Sequence, residues 1–410
     1  MNYYYYFNNN NKMSSERKKV KKLCSLLNEY EDEDEDSNKN KIKKNILSLE
    51  SDTLSWLQYY SMYCVKYQKG YIDVAKKILI ILNKIFLESF FGTITLTFGD
   101  VAESHVGMEK LGNMADKGFS KKDLKSAQKK FNDLGYETVL IKLNDFLPKS
   151  KNVEDEEEKK FLEVAKTDKD YEAYVFIVRN GVNALLDLGD DKSLLNEMLF
   201  FGWDTKLYNE RRGIVQNKLA RHNLNFDDVG KKSDFEKGQG TTIAFKDAPL
   251  VNDIRNKLPY FFGKNARKLK CEGNKYYDSS KTGIGYHGDT ERRKVIGLRL
   301  GKKMNMHWMW YYNDQPRGKN VNIQLQPGDL YCMSEKTVGT DWRPNKSMGI
   351  KKKRYTLRHA AGAKNYTTNA PKVHMKNMKE YNKDINLYDI YFKPAKVDNK
   401  KNTKFFEVPK

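Results

Sequence analysis

The sequence predicts a protein of α/β plus β class, in which helices and a small α/β unit precede a β-rich domain. Three patterns carry that expectation. Apolar residues recur at 74, 78, 81, 82 and 85, the stripe of an amphipathic helix. Between 93 and 178, three β-branched runs alternate with helical stretches. From 241 to 357, seven short β runs succeed one another, punctuated by Gly, Asn and Asp, as in a sandwich or barrel.

Taken in order, residues 1–50 carry the run Glu31-Asp32-Glu33-Asp34-Glu35-Asp36 ahead of a basic stretch. Blocks of like charge repel, which predicts a disordered charged arm. Residues 51–92 form a helical segment; Lys76, Lys77 and Lys84 interrupt its apolar stripe, as expected of a packing helix rather than a membrane span. Residues 93–200 read as a small α/β domain. It has strands at 93–98, 138–143 and 174–178, and a helix from Leu124 to Leu134 stopped by Gly135. Helices between strands favour a parallel or mixed sheet. No GxGxxG or Walker phosphate loop marks this unit, and Asp100, Glu103 and His105 read as a turn with a solvated helix face. Residues 201–365 form the β domain with an N-terminal lid helix, and 366–410 a basic tail with one aromatic segment, Leu387 to Phe392.

The chain has 410 residues, with 75 Lys+Arg against 54 Asp+Glu, a formal charge of +21. That excess predicts a polyanionic partner, a nucleic acid. A coding bias toward Lys, Asn, Tyr and Ile, as in a large DNA virus or a protist, gives the same balance. Aromatic content of 12% excludes a wholly disordered chain. No apolar run approaches the ~20 residues of a membrane span. The start lacks a basic segment followed by an apolar one, so the expected location is cytoplasm or nucleus rather than the secretory route. Cys24, Cys64, Cys271 and Cys332 lie far apart, which argues against a zinc ribbon or a disulfide framework.

The informative stretch is Gly283-Ile284-Gly285-Tyr286-His287-Gly288-Asp289-Thr290. Residues two apart in an extended chain point the same way, so His287 and Asp289 can aim at one point. They are two members of the 2-His-1-carboxylate face that holds Fe(II) and leaves positions open. Downstream follow Pro327-Gly328-Asp329 and then Arg354-Tyr355-Thr356-Leu357-Arg358-His359.

In this order of motifs, residues 240–362 resemble the 2-oxoglutarate/Fe(II)-dependent dioxygenase superfamily, especially its AlkB-like branch. The resemblance implies a C-terminal double-stranded β-helix (jelly-roll) domain, Fe(II) as cofactor, and 2-oxoglutarate and O2 as cosubstrates. His287 and Asp289 match the first two metal ligands. Asn274 and Tyr276 look like the family's Asn-x-Tyr strand, which hydrogen-bonds the cosubstrate. Arg354 and Arg358 are candidates for the guanidinium that grips its distal carboxylate. The third ligand stays open. Position favours Asp341, a dozen residues beyond the Gly-Asp turn. Ligand chemistry favours His359, although strand alternation sets it opposite Arg358 unless a bulge intervenes. Failing both, the chain is a pseudo-enzyme. His307 reads as a wall residue, and His105, His222 and His374 lack ligand-like neighbours. Arg211, Arg212 and Arg221, on the lid helix, are candidates for phosphate contact. The implied activity is hydroxylation or demethylation of a nucleic-acid base taken out of its stack. The alternatives are a protein side-chain hydroxylase and an inactive β-helix module that binds nucleic acid. Oligomeric state has no signature in the sequence.

Overall fold

A computed structural model of the chain describes residues 13–28, 36–70, 72–278, 280–344 and 353–362. Side-chain alternation builds its centre. The strands are β1 (Thr93–Gly99), β2 (Val101–Glu103), β3 (Lys110–Gly112), β4 (Thr138–Lys142), β5 (Tyr174–Val178), β6 (Lys206–Asn209), β7 (Ile214–Asn217), β8 (His222–Asp227), β9 (Thr242–Ala244), β10 (Lys270–Tyr276), β11 (Gly283–His287), β12 (Val295–Gly301), β13 (Met304–Tyr312), β14 (Gln315–Leu325), β15 (Leu330–Met333) and β16 (Tyr355–Gly362). Eight of them form one sheet in the order β4-β5-β15-β12-β1-β10-β8-β9, and four form a second, β11-β16-β13-β14. Two hairpins, β2–β3 and β6–β7, stand apart.

The larger sheet turns Leu96, Phe98, Phe176, Leu298 and Leu330 toward helices α5 (Lys121–Asp133), α8 (Asp191–Phe200) and α9 (Pro249–Phe262). The alternate residues Val175, Ile177, Val295, Tyr331 and Met333 share a second core with Trp308, Trp310, Ile323 and Leu357 of the smaller sheet. The result is three layers: helices, large sheet, small sheet. Helices α6 (Glu156–Thr167), α7 (Gly181–Leu185) and α10 (Glu335–Val338) lie in the connections.

A third core joins α1 (Met13–Asn28), α2 (Asp36–Leu47), α3 (Ser51–Tyr67) and α4 (Ile72–Phe86) through Leu23, Leu27, Ile42, Ile46, Leu57 and Leu82. This corrects the expected disordered arm over its described part. Apolar residues at 23, 27, 42 and 46 recur at helical spacing and are buried, so the lysines between them are the solvated face of helices. Most of the acidic run lies outside the described residues, as do 366–410.

Three further expectations change. The boundary at 200 runs through a single sheet: β1 lies between β12 and β10, and β5 pairs with β15. Pairing is antiparallel except for β8 with β9, so the large sheet is mixed rather than parallel, and its one parallel pair lies outside residues 93–200. The lid helix is absent; residues 206–217 form the β6–β7 hairpin, and 222–227 are already strand. The architecture is a sandwich of two open sheets. Among the described residues, no helix is long and apolar enough to cross a membrane, and the four cysteines are unpaired.

Candidate metal and anion site

The cavity lies between the two sheets and has a volume of about 390 Å³. The small sheet supplies one wall. His287 ends β11 and is the register partner of His359 on β16, with ring centroids 4.4 Å apart. Asp289 follows two residues after His287, its backbone N–H donating to Val338 O at 3.1 Å. Asp289 Oδ1 lies 3.3 Å from His287 Nε2 and 3.5 Å from His359 Nε2. Ligand atoms of all three residues fall within 4.8 Å of one another.

Hydrogen bonding sets the His287 ring. Its Nδ1 donates to Gly285 O at 2.8 Å, which leaves the Nε2 lone pair directed at Asp289 and His359. Burial and the neighbouring His287 lower the His359 pKa, keeping that imidazole neutral, as a ligand must be. Burial opposes ionisation of Asp289, but the Arg292 guanidinium beside it outweighs burial and holds its carboxyl well below the usual range. Gly288 permits the close turn between the ligands. A Cβ there would stand 2.0 Å from Gly339 O and 2.7 Å from Trp342 Cδ1.

The large sheet supplies the opposite wall. Arg299, on β12, is fully buried and lines the cavity. Its Nη1 donates to Thr95 Oγ1 at 2.6 Å, whereas Nε and Nη2 have no hydrogen-bond partner. Burial lowers its pKa, with Tyr331, Tyr276 and Asp329 acting against that. The Pro327-Gly328-Asp329 turn clamps the backbone at this position: Arg299 N donates to Asp329 O at 2.9 Å, and Gly328 N to Arg299 O at 2.8 Å. Tyr331 lies across β12 at Gly297, where a Cβ would sit 2.1 Å from its ring. A buried cation with unused donors in a cavity is a built receptor for an anion.

The sequence-based assignments divide accordingly. His287, Asp289 and His359 come together. Asp341 does not; it pairs with Lys336 at 2.6 Å and with Arg354 at 3.5 Å. Asn274 and Tyr276 line the cavity. Asn274 Oδ1 is engaged by Arg221 Nε at 2.6 Å and Asn223 Nδ2 at 2.7 Å. Arg354 and Arg358 are outside the cavity lining, which corrects their assignment as carboxylate clamp. Arg354 donates to the carbonyls of Asp341 and Arg343, and Arg358 pairs with Asp314 and stacks on Tyr311. Arg211 and Arg212 are exposed at the hairpin turn, and Arg221 alone of the three reaches the cavity. His307 sits on β13 facing Asn320, His222 stacks on Tyr277, and His105 lines the cavity mouth with Glu103. His374 is outside the described residues. Asp100 is a loop organiser, accepting from the backbone of Ala115, Arg293 and Lys294.

Glu103, read from the sequence as part of a turn with a solvated helix face, is instead buried at the end of β2 and lines the cavity. Arg299 and Glu272 were not singled out from the sequence. A lone Arg in the apolar run Val295–Leu300 was the available signal for the first, and nothing local marked the second.

Among known proteins, the chain is similar to "Uncharacterized protein R156" of Acanthamoeba polyphaga mimivirus. The two are 40% identical over 270 residues, which is 66% of this chain and 95% of that protein. No family model matches.

Proposed function

Since this chain belongs to the family of the uncharacterized mimivirus protein, whose name assigns no activity, we propose its function from the site itself: an Fe(II)- and 2-oxoglutarate-dependent oxygenase. The observation that carries it is one cavity holding a His-Asp-His ligand set on one wall and an unsatisfied, fully buried Arg299 on the other. The donor set fits Fe(II): two imidazoles and one carboxylate, with no thiolate. The orphaned nitrogens of Arg299 fit the distal carboxylate of a dicarboxylic cosubstrate whose other end lies toward the metal.

When bound, iron with 2-oxoglutarate and O2 supplies the oxidation, giving succinate and CO2 and placing one oxygen atom on a substrate C–H bond. The protein's own groups do the rest. Gly285 O fixes the His287 tautomer. Arg292 keeps Asp289 ionised and oriented, its Nε 3.4 Å from Asp289 Oδ2. Thr95 and the Gly-Asp turn hold Arg299, and Tyr276 and Tyr331 narrow the space around it. Burial of these walls excludes water and strengthens each charge interaction.

The finer fold assignment belongs to the same proposal. From β10 to β13, and again from β14 to β16, successive strands switch sheets, the winding of a double-stranded β-helix or jelly roll. In this chain β1 fills the central place between β10 and β12. A nucleic-acid substrate rests on the charge of +21 and on Arg221 at the cavity wall.

The test is anaerobic loading with Fe(II), then addition of 2-oxoglutarate and O2 while succinate is followed. Stoichiometric iron uptake and succinate release are expected. A folded, iron-loaded sample releasing no succinate overturns the oxygenase and leaves the inactive module.

A further inference from the structure

The two oxygens of Asp289 face different partners. Oδ1 lies toward the imidazoles, 3.3 Å from His287 Nε2 and 3.5 Å from His359 Nε2, while Oδ2 lies 3.4 Å from Arg292 Nε. Asp289 and Arg292 share the loop between β11 and β12. A loop holds a carboxylate only as firmly as the contacts that pin it. Here the pinning comes from the facing sheet. Arg292 is buried, and its Nη2 donates to Glu272 Oε2 on β10 at 2.5 Å. Its Nε donates to Glu291 Oε1 at 2.9 Å, and its carbonyl accepts from Thr340 Oγ1 at 2.8 Å.

Glu272 is held in turn. It is buried and accepts from Asn274 Nδ2 at 3.0 Å and from Glu103 N at 3.4 Å. Asn274 Oδ1 accepts from Arg221 Nε at 2.6 Å and from Asn223 Nδ2 at 2.7 Å, so both of its lone pairs are engaged. A line of hydrogen bonds therefore runs from Arg221 through Asn274 and Glu272 to Arg292, and an ion pair closes it on Asp289 Oδ2. The charged members alternate in sign along the line, which compensates each of them. Asn274 is fixed by protein groups, a different task from the cosubstrate contact that the resemblance implies.

We infer that Glu272 and Asn274 are positioning residues for the metal: acting through Arg292, they hold Asp289 Oδ2 away from it and present Oδ1 alone. The inference rests on the His287-Asp289-His359 ligand set and adds what keeps its carboxylate single-pronged. A carboxylate free to turn binds through both oxygens and fills a position that the proposed reaction needs open. Deprived of Glu272, Arg292 turns to Asp289 and draws that carboxylate from the metal, so affinity falls as well.

The test is titration of the full chain with Co(II) alone, whose visible absorption reports both affinity and coordination number, together with thermal denaturation of the metal-free protein. Glu272→Gln is expected to weaken Co(II) binding about 10- to 100-fold, the usual effect of losing a group that orients a ligand, and to change the absorption band. Asn274→Ala acts one hydrogen bond further out and should cost about two- to tenfold. Arg221→Met should stay within about threefold, because Asn223 still donates to Asn274. Glu158→Gln is the control. Glu158 is as deeply buried, accepts from Arg317 Nε and Tyr355 Oη at 2.7 Å each, and is outside the cavity lining. Its variant should melt lower while Co(II) affinity stays within about twofold and the spectrum is unchanged. Parental affinity and spectrum in Glu272→Gln, or an equal loss in Glu158→Gln, overturns the inference. If Glu272→Gln fails to fold, Asn274→Ala decides in its place, and parental affinity there overturns it. A parent protein that takes up no Co(II) removes the ligand set, and with it both this inference and the oxygenase. Co(II) uptake that depends on Glu272, with no succinate from the Fe(II)-loaded parent, removes the oxygenase and keeps this inference.

Discussion

Replacing Arg299 by Met separates binding from stability, and the two are expected to move in different directions. In the proposed function, the guanidinium neutralises a carboxylate of 2-oxoglutarate taken out of water. Removing one partner of a buried ion pair costs about 3–5 kcal/mol. At about 1.4 kcal/mol per factor of ten, cosubstrate affinity falls roughly 100- to 4,000-fold. Without cosubstrate the sign changes. Nε and Nη2 are buried with no partner, and each such donor costs about 1–3 kcal/mol. Against this the variant loses the hydrogen bonds of Nη1, a strong one to Thr95 Oγ1 worth about 1.5–3 kcal/mol and a weak one to Met304 Sδ. The ligand-free variant is therefore expected to melt no lower than the parent. Calorimetric titration of 2-oxoglutarate into the anaerobic Fe(II)-loaded protein gives the first quantity, and thermal denaturation of the ligand-free protein the second. Arg354→Met and Arg358→Met are the controls. Their guanidiniums are used on Asp341, Arg343 and Asp314, so affinity should stay within about twofold. A threefold or smaller loss of affinity in Arg299→Met, or a collapse of melting temperature with binding intact, would refute the assignment.

Other perturbations separate neighbouring roles. His287→Ala and His359→Ala should each abolish stoichiometric iron uptake. Asp341→Ala should retain it and change stability by less than about 1 kcal/mol, since its carboxylate is partly exposed. Gly288→Ala should lose metal affinity, because its Cβ would press 2.0 Å from Gly339 O and move Asp289; a metal titration matching the parent would count against that geometry. Glu197 is fully buried and accepts from Ser55 Oγ at 2.9 Å and from Leu250 N and Val251 N at 3.0 Å, at the start of α9. Burial pushes its carboxyl up to about 7 against these bonds. The native state thus holds a proton that the unfolded chain has released, so stability declines as pH rises from about 4.5 through about 7, by up to about 3 kcal/mol. Denaturation at pH 5 and pH 8 should show this slope in the parent and a flatter one in Glu197→Gln. A fragment of residues 201–410 lacks β1 and β5 and should show no cooperative melt; a sharp transition would restore the boundary at 200.

How much of this was legible depends on distance along the chain. The β runs between 241 and 357 were readable because alternation and Gly punctuation are local, and β12, β13, β14, β15 and β16 lie where those runs fall. The HxD spacing was readable for the same reason. Strand partnership was not. Thr95 and Arg299 form a hydrogen bond across 204 positions of sequence, and no local pattern announces that β1 inserts between β10 and β12. The buried stripe of α1 and α2 was readable in principle, but charge density drew attention away from the apolar residues spaced between the lysines.

The candidates for third ligand and guanidinium are coupled by strand parity. On β16, Tyr355, Leu357 and Ala361 enter the core between the sheets, and His359 shares their parity. Arg354 and Arg358 have the opposite parity, so once His359 faces the ligands neither arginine can reach the cavity. A bulge on β11 between Ile284 and His287 brings the two histidines opposite each other without disturbing β16. An anion receptor must then come from the facing sheet, at a position of inward parity. On β12, Ile296, Leu298 and Leu300 are turned to the helices, so Val295, Gly297 and Arg299 face the cavity. Glycine at 297 leaves room for Tyr331, and the charged end of Arg299 is left with two nitrogens, Nε and Nη2, that have no hydrogen-bond partner. The proposed metal ligands and the proposed anion receptor therefore sit on different sheets, and the shared core of Trp308, Ile323, Val295 and Met333 fixes their separation. Large-to-small substitution in that core is expected to loosen the pairing of the two binding events before it unfolds the chain, and it should be measurable as a weaker effect of bound metal on 2-oxoglutarate affinity.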